Sequence, residues 1–357
     1  KGSMGYIGLS GGVDSAVSAL LLKAQGFHLR GVHLRLWEPD EAEAVQKLGE
    51  TMNLAEQLGI HLEILDWRER FKQDVIAPYL QVLADGRTPN PCIQCNRQIK
   101  WGALWEFVQA KGAEFLASGH YARLSQAGGL AELRKAAYLP KDQSYFLSVL
   151  PQAVLQVMRL PLGELSKAEV RGLAEEAGLS VAASKESEDL CFLDRLGQGA
   201  FLEKYAPELL TPGPILDRSG KVSGQHSGLP LYTIGQRKGI RVAAESPLYV
   251  MGKDSERNAL LVGRGDELAH RQVFGRGLHS LSGQAPALDR SYEVKLRAAG
   301  KALPANLQTS ESGDIIATLE TPVRDITSGQ YLVIYDGELC LGSAEITGSG
   351  YFHKDKE

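Results

Sequence analysis

The sequence predicts an α/β fold, in which an N-terminal parallel sheet with helices on both faces precedes a small central β-rich domain and a C-terminal β-barrel. From Tyr6 to Ser118, short strand-like stretches alternate with longer helical ones, the pattern of βαβ units. After residue 205, helical signals weaken and turns rich in glycine and proline multiply. The final stretch has closely spaced strand-like segments, typical of a small barrel. We therefore expect domains at 4–205, 206–272 and 273–357.

The N-terminal region divides into strand–helix units. The strand-like stretches are YIGLS (6–10), LRGVHLRLW (29–37), HLEIL (61–65) and EFLAS (114–118), and helical stretches cover 15–25, 41–58, 68–84 and 97–111. A later helix begins after Ser166, which forms a capping box with Glu169, and it ends at Gly178. Ligands of a parallel sheet bind at the carboxyl ends of its strands, so functional residues are expected there.

Two hairpins are predicted in the C-terminal half. LYVMGKD (248–254) pairs with ALLVG (259–263), and QYLVIY (330–335) pairs with ELCLGSAEI (338–346). Asp336-Gly337, between the second pair, is typical of a type I′ turn. Cys340 alternates with apolar neighbours in the last strand, so we expect it in a core.

Composition limits the class of protein. The 357 residues are 43% hydrophobic and 23% charged, as in soluble globular chains. No stretch is long and apolar enough to span a membrane, and no signal peptide is recognisable, so we expect a cytoplasmic protein without a membrane partner. In a reducing compartment the four cysteines are expected to be catalytic or metal-binding rather than disulfide-bonded.

The first predicted strand ends in a bare turn, SGGVDS (10–15), directly before a helix. Two glycines that allow close backbone approach, together with the free N–H groups of a helix N-terminus, favour phosphate binding. The turn is not a GxxxxGK[ST] loop, because it lacks the lysine, and it is not a GxGxxG loop, because its glycines are spaced differently. His33-Leu34-Arg35 ends the second strand, where a dehydrogenase carries the acid that binds the NAD ribose, so a dehydrogenase is disfavoured. Asp14 and Ser15 add a carboxylate and a hydroxyl suited to Mg²⁺ or a phosphate oxygen.

Three cysteines stand in polar contexts. Cys92 and Cys95 follow a proline-stiffened loop at the start of a helix, where the helix N-terminus and nearby Arg97 are expected to favour the thiolate. Cys191 lies about a hundred residues later, in KESEDLCFL. A structural zinc site lacks its second ligand pair in the sequence. A nucleophile pair and a three-thiolate iron–sulfur site both remain open.

Eight stretches in order resemble the tRNA-specific 2-thiouridylases (MnmA/TrmU family) of the ATP pyrophosphatase (PP-loop) superfamily. They are SGGVDS, GRTPNPCIQCNRQIK, SGHYAR, KDQSYFL, PLGELSKAEVR, SEDLCF, YTIGQRKG and YVMGKD, and the resemblance runs from residue 7 to about 350. It implies a Rossmann-like ATP pyrophosphatase domain at the N-terminus. It also implies that ATP adenylates the C2 oxygen of the wobble uridine of tRNA, and that persulfide sulfur then replaces this oxygen, with release of AMP and pyrophosphate.

The resemblance also implies roles for individual residues. The nucleophile matches Cys95 and the persulfide carrier matches Cys191. The ATP site matches Gly8, Leu9, Ser10, Gly11, Gly12, Val13, Asp14, Ser15, Leu34 and Gly119; contacts to the target base match Asn90, Pro91 and Cys92; and tRNA contacts match His120, Lys141, Asp142, Gln143 and Gln330. ATP and Mg²⁺, the latter through Asp14, are the implied cofactors. The implied partners are tRNA and a sulfur-donor protein or sulfide.

The chain departs from the family pattern at informative positions. Many relatives have aspartate where this chain has Cys92, so a [4Fe–4S] cluster held by Cys92, Cys95 and Cys191 competes with the persulfide route. Glu188 replaces a usual glutamine and adds negative charge beside Cys191. VKLRAAG (294–300) is less basic than the family's usual strand, so tRNA contact there is in doubt. Despite the net charge of −4, basic residues can line a local phosphate-binding surface: Arg97, Lys100, Lys141, Arg237, Lys238 and Lys253.

Two other functions fit the same residues. An ATP pyrophosphatase of this fold can adenylate or thiolate another tRNA site or a metabolite. A non-catalytic nucleotide-binding protein can use the same thiols to sense metal or redox state, and it would not release pyrophosphate when tRNA is added.

Overall fold

A computed structural model of the chain describes residues 3–183, 190–193, 197–244, 246–310 and 312–349. It confirms the predicted class: a parallel sheet, a small central sheet and a closed barrel follow one another. Glu188 lies outside the described residues. The domain limits inferred from the sequence stay predictions.

The N-terminal region alternates strands and helices. In chain order these are β1 (Met4–Gly8), α1 (Val13–Ala24), β2 (His28–Arg35), α2 (Glu41–Leu58), β3 (His61–Asp66), α3 (Arg68–Phe71), α4 (Ala77–Ala84), α5 (Pro91–Cys95), α6 (Leu104–Ala110), β4 (Phe115–Ala117), β5 (Arg123–Ala127), β6 (Leu130–Arg134), α7 (Ser144–Leu147), α8 (Gln152–Val157), β7 (Met158–Arg159), α9 (Lys167–Glu176) and α10 (Gly197–Tyr205). Short 3₁₀ turns cover Leu139–Lys141 and Pro207–Leu209. Strands β3-β2-β1-β4-β7 form the parallel sheet in that spatial order.

Each face of this sheet is buried against helices. Tyr6 and Ile7 are adjacent in β1 and both fully buried, yet Tyr6 belongs to one apolar cluster and Ile7 to another. Successive side chains of a strand point to opposite faces, so the two clusters are the two sides of the sheet. This confirms helices on both faces. The predicted capping box of Ser166 and Glu169 is present at the start of α9.

Two predicted helices contain π-helical segments. Lys72–Ile76 joins α3 to α4, and Asn96–Ala103 joins α5 to α6, so the second helix runs from Pro91 rather than from Arg97. A π-helix closes each turn at i+5 and is frequent at functional sites. Neither π-helical segment was predicted, because apolar residues spaced at the α-helical period of 3.6 do not distinguish the two helix types.

The remaining strands form two sheets. The central sheet has the order β10-β11-β8-β9, and the barrel closes through β12-β15-β14-β13-β16-β17 and back to β12. The bounds are β8 (Gly213–Leu216), β9 (Val222–His226), β10 (Leu248–Asp254), β11 (Ala259–Arg264), β12 (His270–Ser280), β13 (Ser291–Lys295), β14 (Leu303–Thr309), β15 (Ile315–Val323), β16 (Tyr331–Asp336) and β17 (Leu339–Ser349), with a 3₁₀ turn at Leu229–Leu231. The N-terminal hairpin β5–β6 pairs with β17 and ties the barrel to the first region.

Both predicted C-terminal hairpins are present, but one turn differs. Asp336 pairs with Leu339, so Gly337 and Glu338 form the connection. A type I′ turn needs positive φ at both central residues, whereas only Gly337 has it, at +59°. The I′ prediction is therefore wrong, because the strand extends one residue further. Among the described residues, no helix has the length and apolar character needed to cross a bilayer.

Candidate active site

A cavity of about 290 Å³ lies at the carboxyl end of β1. Nine of the predicted site residues line it: Gly8, Leu9, Ser10, Asp14, Ser15, Leu34, Gly119, His120 and Gln143. Gly11, Gly12 and Val13 are not among its lining residues. A larger recess of about 810 Å³ lies between residues 85–88, the central sheet and the barrel; of the residues singled out in the sequence it contains only Lys253, from the predicted basic surface. The smaller cavity is thus the one that the sequence motifs identify.

The glycine turn has the shape expected of a phosphate site. Gly11 has φ +80°, and a Cβ there would lie 2.8 Å from Thr51 Oγ1. Gly12 is the N-cap of α1, and no side chain among the described residues caps it. The first N–H groups of the helix are therefore not satisfied by a cap and can bind an anion.

Gly119 brings the loop after β4 against the start of α1. A Cβ at this position would lie 2.9 Å from both Asp14 C and Ser15 N, which are backbone atoms. Only glycine fits without displacing the phosphate turn. On the same cavity, Trp101 Nε1 is buried and has no hydrogen-bond partner among the described residues, so a bound ligand or water must satisfy this donor.

Asp14 has partners that the sequence did not reveal. Its Oδ1 accepts hydrogen bonds from Tyr121 Oη at 2.8 Å and from Lys167 Nζ at 2.6 Å. Both of these bonds use Oδ1, and Asp14 lines the cavity. Mg²⁺ commonly uses one or two carboxylates together with substrate phosphates, so Asp14 fits the predicted magnesium role. Lys167 lies in the stretch PLGELSKAEVR that carries part of the family resemblance, but only the fold places it beside Asp14.

His120 is a neutral group in this site. Its Nδ1 lies 2.7 Å from Ser118 Oγ, and its ring packs against Trp101 with centroids 6.1 Å apart. Desolvation, followed by the charge of Lys100, lowers the pKa of His120 to about 3. An imidazole that is uncharged at neutral pH can form hydrogen bonds with RNA but cannot form an ion pair with its phosphates.

The predicted tRNA-binding turn at 141–143 is held internally. Asp142 Oδ1 accepts from the backbone N–H groups of Ala136 at 2.9 Å and Ser144 at 3.2 Å, while Gln143 Oε1 accepts from Tyr121 N at 2.9 Å. Asp142 therefore shapes the turn. Lys141 is half-buried beside it, in the 3₁₀ turn that ends there.

The cysteines differ in accessibility. Cys95 is buried, Cys92 is partly buried, Cys191 is exposed, and Cys340 is buried in the core as predicted; all four are free thiols. Cys95 and Phe192, the neighbour of Cys191, belong to the same apolar cluster. This packing anchors the Cys191 segment beside the helix that carries Cys95.

The three candidate thiols share one electrostatic environment. Desolvation is the largest effect on each: it raises the pKa of Cys95 to about 12 and also raises the pKa of Cys92 and Cys191. The second effect on each pKa is the charge of Lys100, which lowers it, and the charges of Cys92 and Cys191 also act on Cys95.

The predicted thiolate-stabilising role of Arg97 is wrong. The pKa shifts of the thiols are upward, and the cation that opposes them is Lys100. Arg97 is exposed and acts instead on the pKa of Tyr331 in the barrel. Burial therefore outweighs the effect of the helix N-terminus at Cys95.

The described side chains do not form a ready metal centre. Within the part of the chain that the structure describes, no three His, Cys, Asp or Glu side chains converge closely enough to hold a metal ion. The thiols of Cys92, Cys95 and Cys191 thus do not fit a preformed ligand set for the [4Fe–4S] cluster inferred from the sequence. Their common environment with a lysine better suits thiol chemistry.

Gln330 holds the loop before the cysteine helix. Its Nε2 donates to Thr88 O at 3.1 Å and Pro89 O at 3.0 Å, and its Oε1 accepts from Asn90 Nδ2 at 3.3 Å. Thr88 N also donates to Ser328 O at 2.9 Å. We call this contact of 328–330 with 88–90 the barrel latch. Asn90 Oδ1 in turn accepts from Ile93 N at 3.2 Å as the N-cap of α5, so the latch connects the barrel to the cysteine helix.

The chain matches known families over nearly its whole length. Residues 5–195 match the family described as tRNA methyl transferase HUP domain, residues 199–264 its PRC-barrel domain, and residues 271–346 an aminomethyltransferase beta-barrel domain. The tRNA-specific 2-thiouridylase MnmA of Herpetosiphon aurantiacus is 38% identical over 353 residues, covering 97% of this chain and 98% of the relative. The protein of the same name from Methylobacillus flagellatus is 38% identical, covering 96% and 98%. The chain therefore belongs to the tRNA-specific 2-thiouridylase (MnmA) family and is an enzyme of that family.

Proposed function

We propose that this protein is an ATP-dependent tRNA sulfurtransferase that replaces the C2 oxygen of the wobble uridine with sulfur. The observation that carries the proposal is the common environment of Cys92, Cys95 and Cys191 with Lys100, which also lines the cavity of the glycine turn. Nucleotide chemistry and sulfur chemistry would then meet at one place. The names of the relatives supply the substrate class.

ATP would bind with its phosphates at the N-terminus of α1 and its adenosine against Leu34 and Gly119, both of which line the cavity. Asp14 would hold Mg²⁺ together with the phosphates. The metal neutralises phosphate charge when bound. The uracil C2 oxygen would then attack the α-phosphorus, and pyrophosphate would leave.

Adenylation makes a poor electrophile reactive, because it turns the carbonyl oxygen into a leaving group. The terminal sulfur of a persulfide on Cys191 would attack C2; the C2–O bond breaks and AMP departs. The Cys95 thiolate would then attack the Cys191 sulfur and break the S–S bond, leaving sulfur on C2. The resulting Cys95–Cys191 disulfide needs Cα atoms within roughly 4.4–6.8 Å and a thiol reductant to regenerate both thiols.

Accessibility supports this division of labour. Cys191 is exposed, so a donor protein that carries a persulfide can transfer its outer sulfur to the Cys191 thiolate and leave as a thiol, whereas Cys95 is buried and protected from unrelated electrophiles. We expect the reaction in the cytoplasm, where ATP and tRNA are present and thiols stay reduced. The proposed domain limit at 205/206 falls at the end of α10 (Gly197–Tyr205), whereas the limit at 272/273 falls inside barrel strand β12 (His270–Ser280).

The test is thiolation of transcript tRNA with ATP and either a persulfide donor or sulfide, followed by nucleoside mass spectrometry. We expect 2-thiouridine from the wild type and none from Cys95→Ser or Cys191→Ser. Cys340→Ala, at a buried thiol outside the site, is the matched control and should remain active. Pyrophosphate release without thiouridine would contradict the proposal and favour another acceptor.

An iron assay and a visible absorption spectrum of anaerobically purified protein test the cluster alternative. Colourless, active protein supports the persulfide route. Iron at about four atoms per chain, with activity that depends on sulfide, would replace it by the cluster.

A further inference from the structure

Lys100 lies between the two halves of the candidate site. It lines the cavity of the glycine turn together with Ser10 and Asp14, and it is the single lysine or arginine among the described lining residues. Its charge is also the second-largest effect on the pKa of Cys92, Cys95 and Cys191. Lys100 therefore lines the nucleotide cavity and lies near enough to the thiols for its charge to act on them.

The π-helix explains how Lys100 reaches this position. In an α-helix, the neighbours of Cys95 on one face would be three and four residues later, at Gln98 and Ile99. The helix instead continues from Cys95 into the π-helical segment Asn96–Ala103, whose turns close at i+5, the spacing of Lys100. The i+5 spacing is also visible at Gly102, where a Cβ would lie 2.6 Å from Arg97 O, five residues earlier.

Lys100 keeps its positive charge in the recess. Desolvation lowers its pKa, but the three thiols together raise it further, so that the net shift is upward. Its side chain is solvent-accessible, which places it on the wall of the cavity rather than within a core. It is therefore available to a substrate.

Sulfur transfer creates negative charge on both sides of this residue. When C2–O breaks, the departing AMP carries charge on its phosphate, and the sulfur nucleophile must be anionic although desolvation opposes this. A fixed cation beside both groups stabilises the transition state more than the ground state, which raises kcat rather than lowering KM.

We propose that Lys100 is a catalytic residue of the sulfur-transfer reaction, whose ammonium contacts the departing phosphate and stabilises the anionic sulfur of Cys95. This inference rests on the proposed function and adds a residue to it. It would lower the cost of forming the Cys95 thiolate in a buried position. Lys100 is not required for the ground-state binding of ATP.

The experiment compares Lys100→Gln and Lys100→Arg with Lys47→Gln, an exposed control on α2 paired with Glu43. With ATP and tRNA saturating, Lys100→Gln should lower kcat for 2-thiouridine formation by about 100-fold, the usual effect of removing one preorganised charge-stabilising group. KM for ATP and for tRNA should stay within a few fold. Lys100→Arg should recover about one tenth of the activity, because it keeps the charge but not the geometry.

A second measurement needs neither tRNA nor activity. Iodoacetamide should alkylate Cys95 more slowly in Lys100→Gln than in the wild type at the same pH, while Lys47→Gln should match the wild type. An inactive wild type would contradict the proposed function, and the alkylation rate would still test Lys100. Unchanged kcat or an unchanged alkylation rate in folded Lys100→Gln would overturn the inference.

Discussion

Replacing Gln330 with alanine distinguishes two roles for this side chain. The family resemblance implies that Gln330 contacts tRNA, whereas the fold uses it in the barrel latch. Its amide makes three hydrogen bonds, to Thr88 O, Pro89 O and Asn90 Nδ2, at 3.1, 3.0 and 3.3 Å. All three are lost in Gln330→Ala, and Asn90 then loses one of the two contacts that fix it as the N-cap of α5.

The magnitude follows from these bonds. A typical hydrogen bond contributes about 0.5–1.5 kcal/mol net, and water replaces part of it because Gln330 is only half-buried. A loss of about 2 kcal/mol in local stability makes the open form of the loop about 30-fold more populated. The effect should be local, since the apolar core of the barrel does not include Gln330.

Hydrogen exchange without tRNA measures this directly. In Gln330→Ala, exchange at 88–95 should be about 30-fold faster and kcat should fall, while the dissociation constant for tRNA should change by less than about threefold. Gln308→Ala, at an exposed position of β14, is the matched control and should change neither. Weaker tRNA binding with unchanged exchange would refute the latch and show that Gln330 contacts RNA.

Three further changes test other parts of the structure. Lys253 Nζ is buried without a partner among the described residues, and desolvation lowers its pKa to about 8. Between about pH 8 and 10.5 the unfolded state therefore binds more protons than the folded state, so the free energy of unfolding should rise by up to about 3 kcal/mol across that range. Urea melts of Lys253→Met should not show this rise. Gly119→Ala should weaken ATP binding at least tenfold in calorimetry, because its Cβ would lie 2.9 Å from backbone atoms of the phosphate turn, whereas Gly172→Ala, with nothing within 4 Å, should bind normally. Asp14→Asn should lower pyrophosphate release and Tm together, since it removes the carboxylate charge that pairs at 2.6 Å with the Lys167 ammonium, which is only 11% exposed. Tyr121→Phe, which removes one 2.8 Å bond to Asp14, should lower them less.

Local patterns predicted the parts of the site that are local in the chain. The glycine turn needs only a strand end, two glycines and a helix start, and all lie within residues 7 to 17. The capping box of α9 likewise involves Ser166 and Glu169 alone. Such features depend on backbone sterics and neighbouring hydrogen bonds, so the sequence is sufficient to predict them.

Partners distant in sequence were not predictable in this way. Lys167 reaches Asp14 across 153 positions, and Gln330 reaches Asn90 across 240. Neither pair has a period or a spacing that would mark it in the sequence. The packing of α9 against α1, and of the barrel against the cysteine loop, brings them together.

The choice between Arg97 and Lys100 illustrates a different limit. Both are exposed cations within five residues of Cys95, and sequence distance favours Arg97. The π-helical winding places Lys100 beside the thiols, while Arg97 acts on Tyr331 in the barrel. A helix period of 3.6 cannot reveal this, because one extra residue in a turn rotates every later side chain to a new face.

Exposure and charge together explain why the site needs both a surface thiol and a buried one. A thiol that accepts sulfur from a donor must be accessible, and Cys191 is. In the proposed mechanism Cys95 would free the sulfur from Cys191 beside the adenylated base, where water must be excluded because it would hydrolyse that base; the same burial raises the pKa of Cys95 to about 12. The pKa of Cys95 stays this high even though the charge of Lys100 lowers it. A cation on the wall of the nucleotide cavity therefore reduces the cost of forming the anionic sulfur without removing it, since its attraction for that sulfur is stronger where water is excluded.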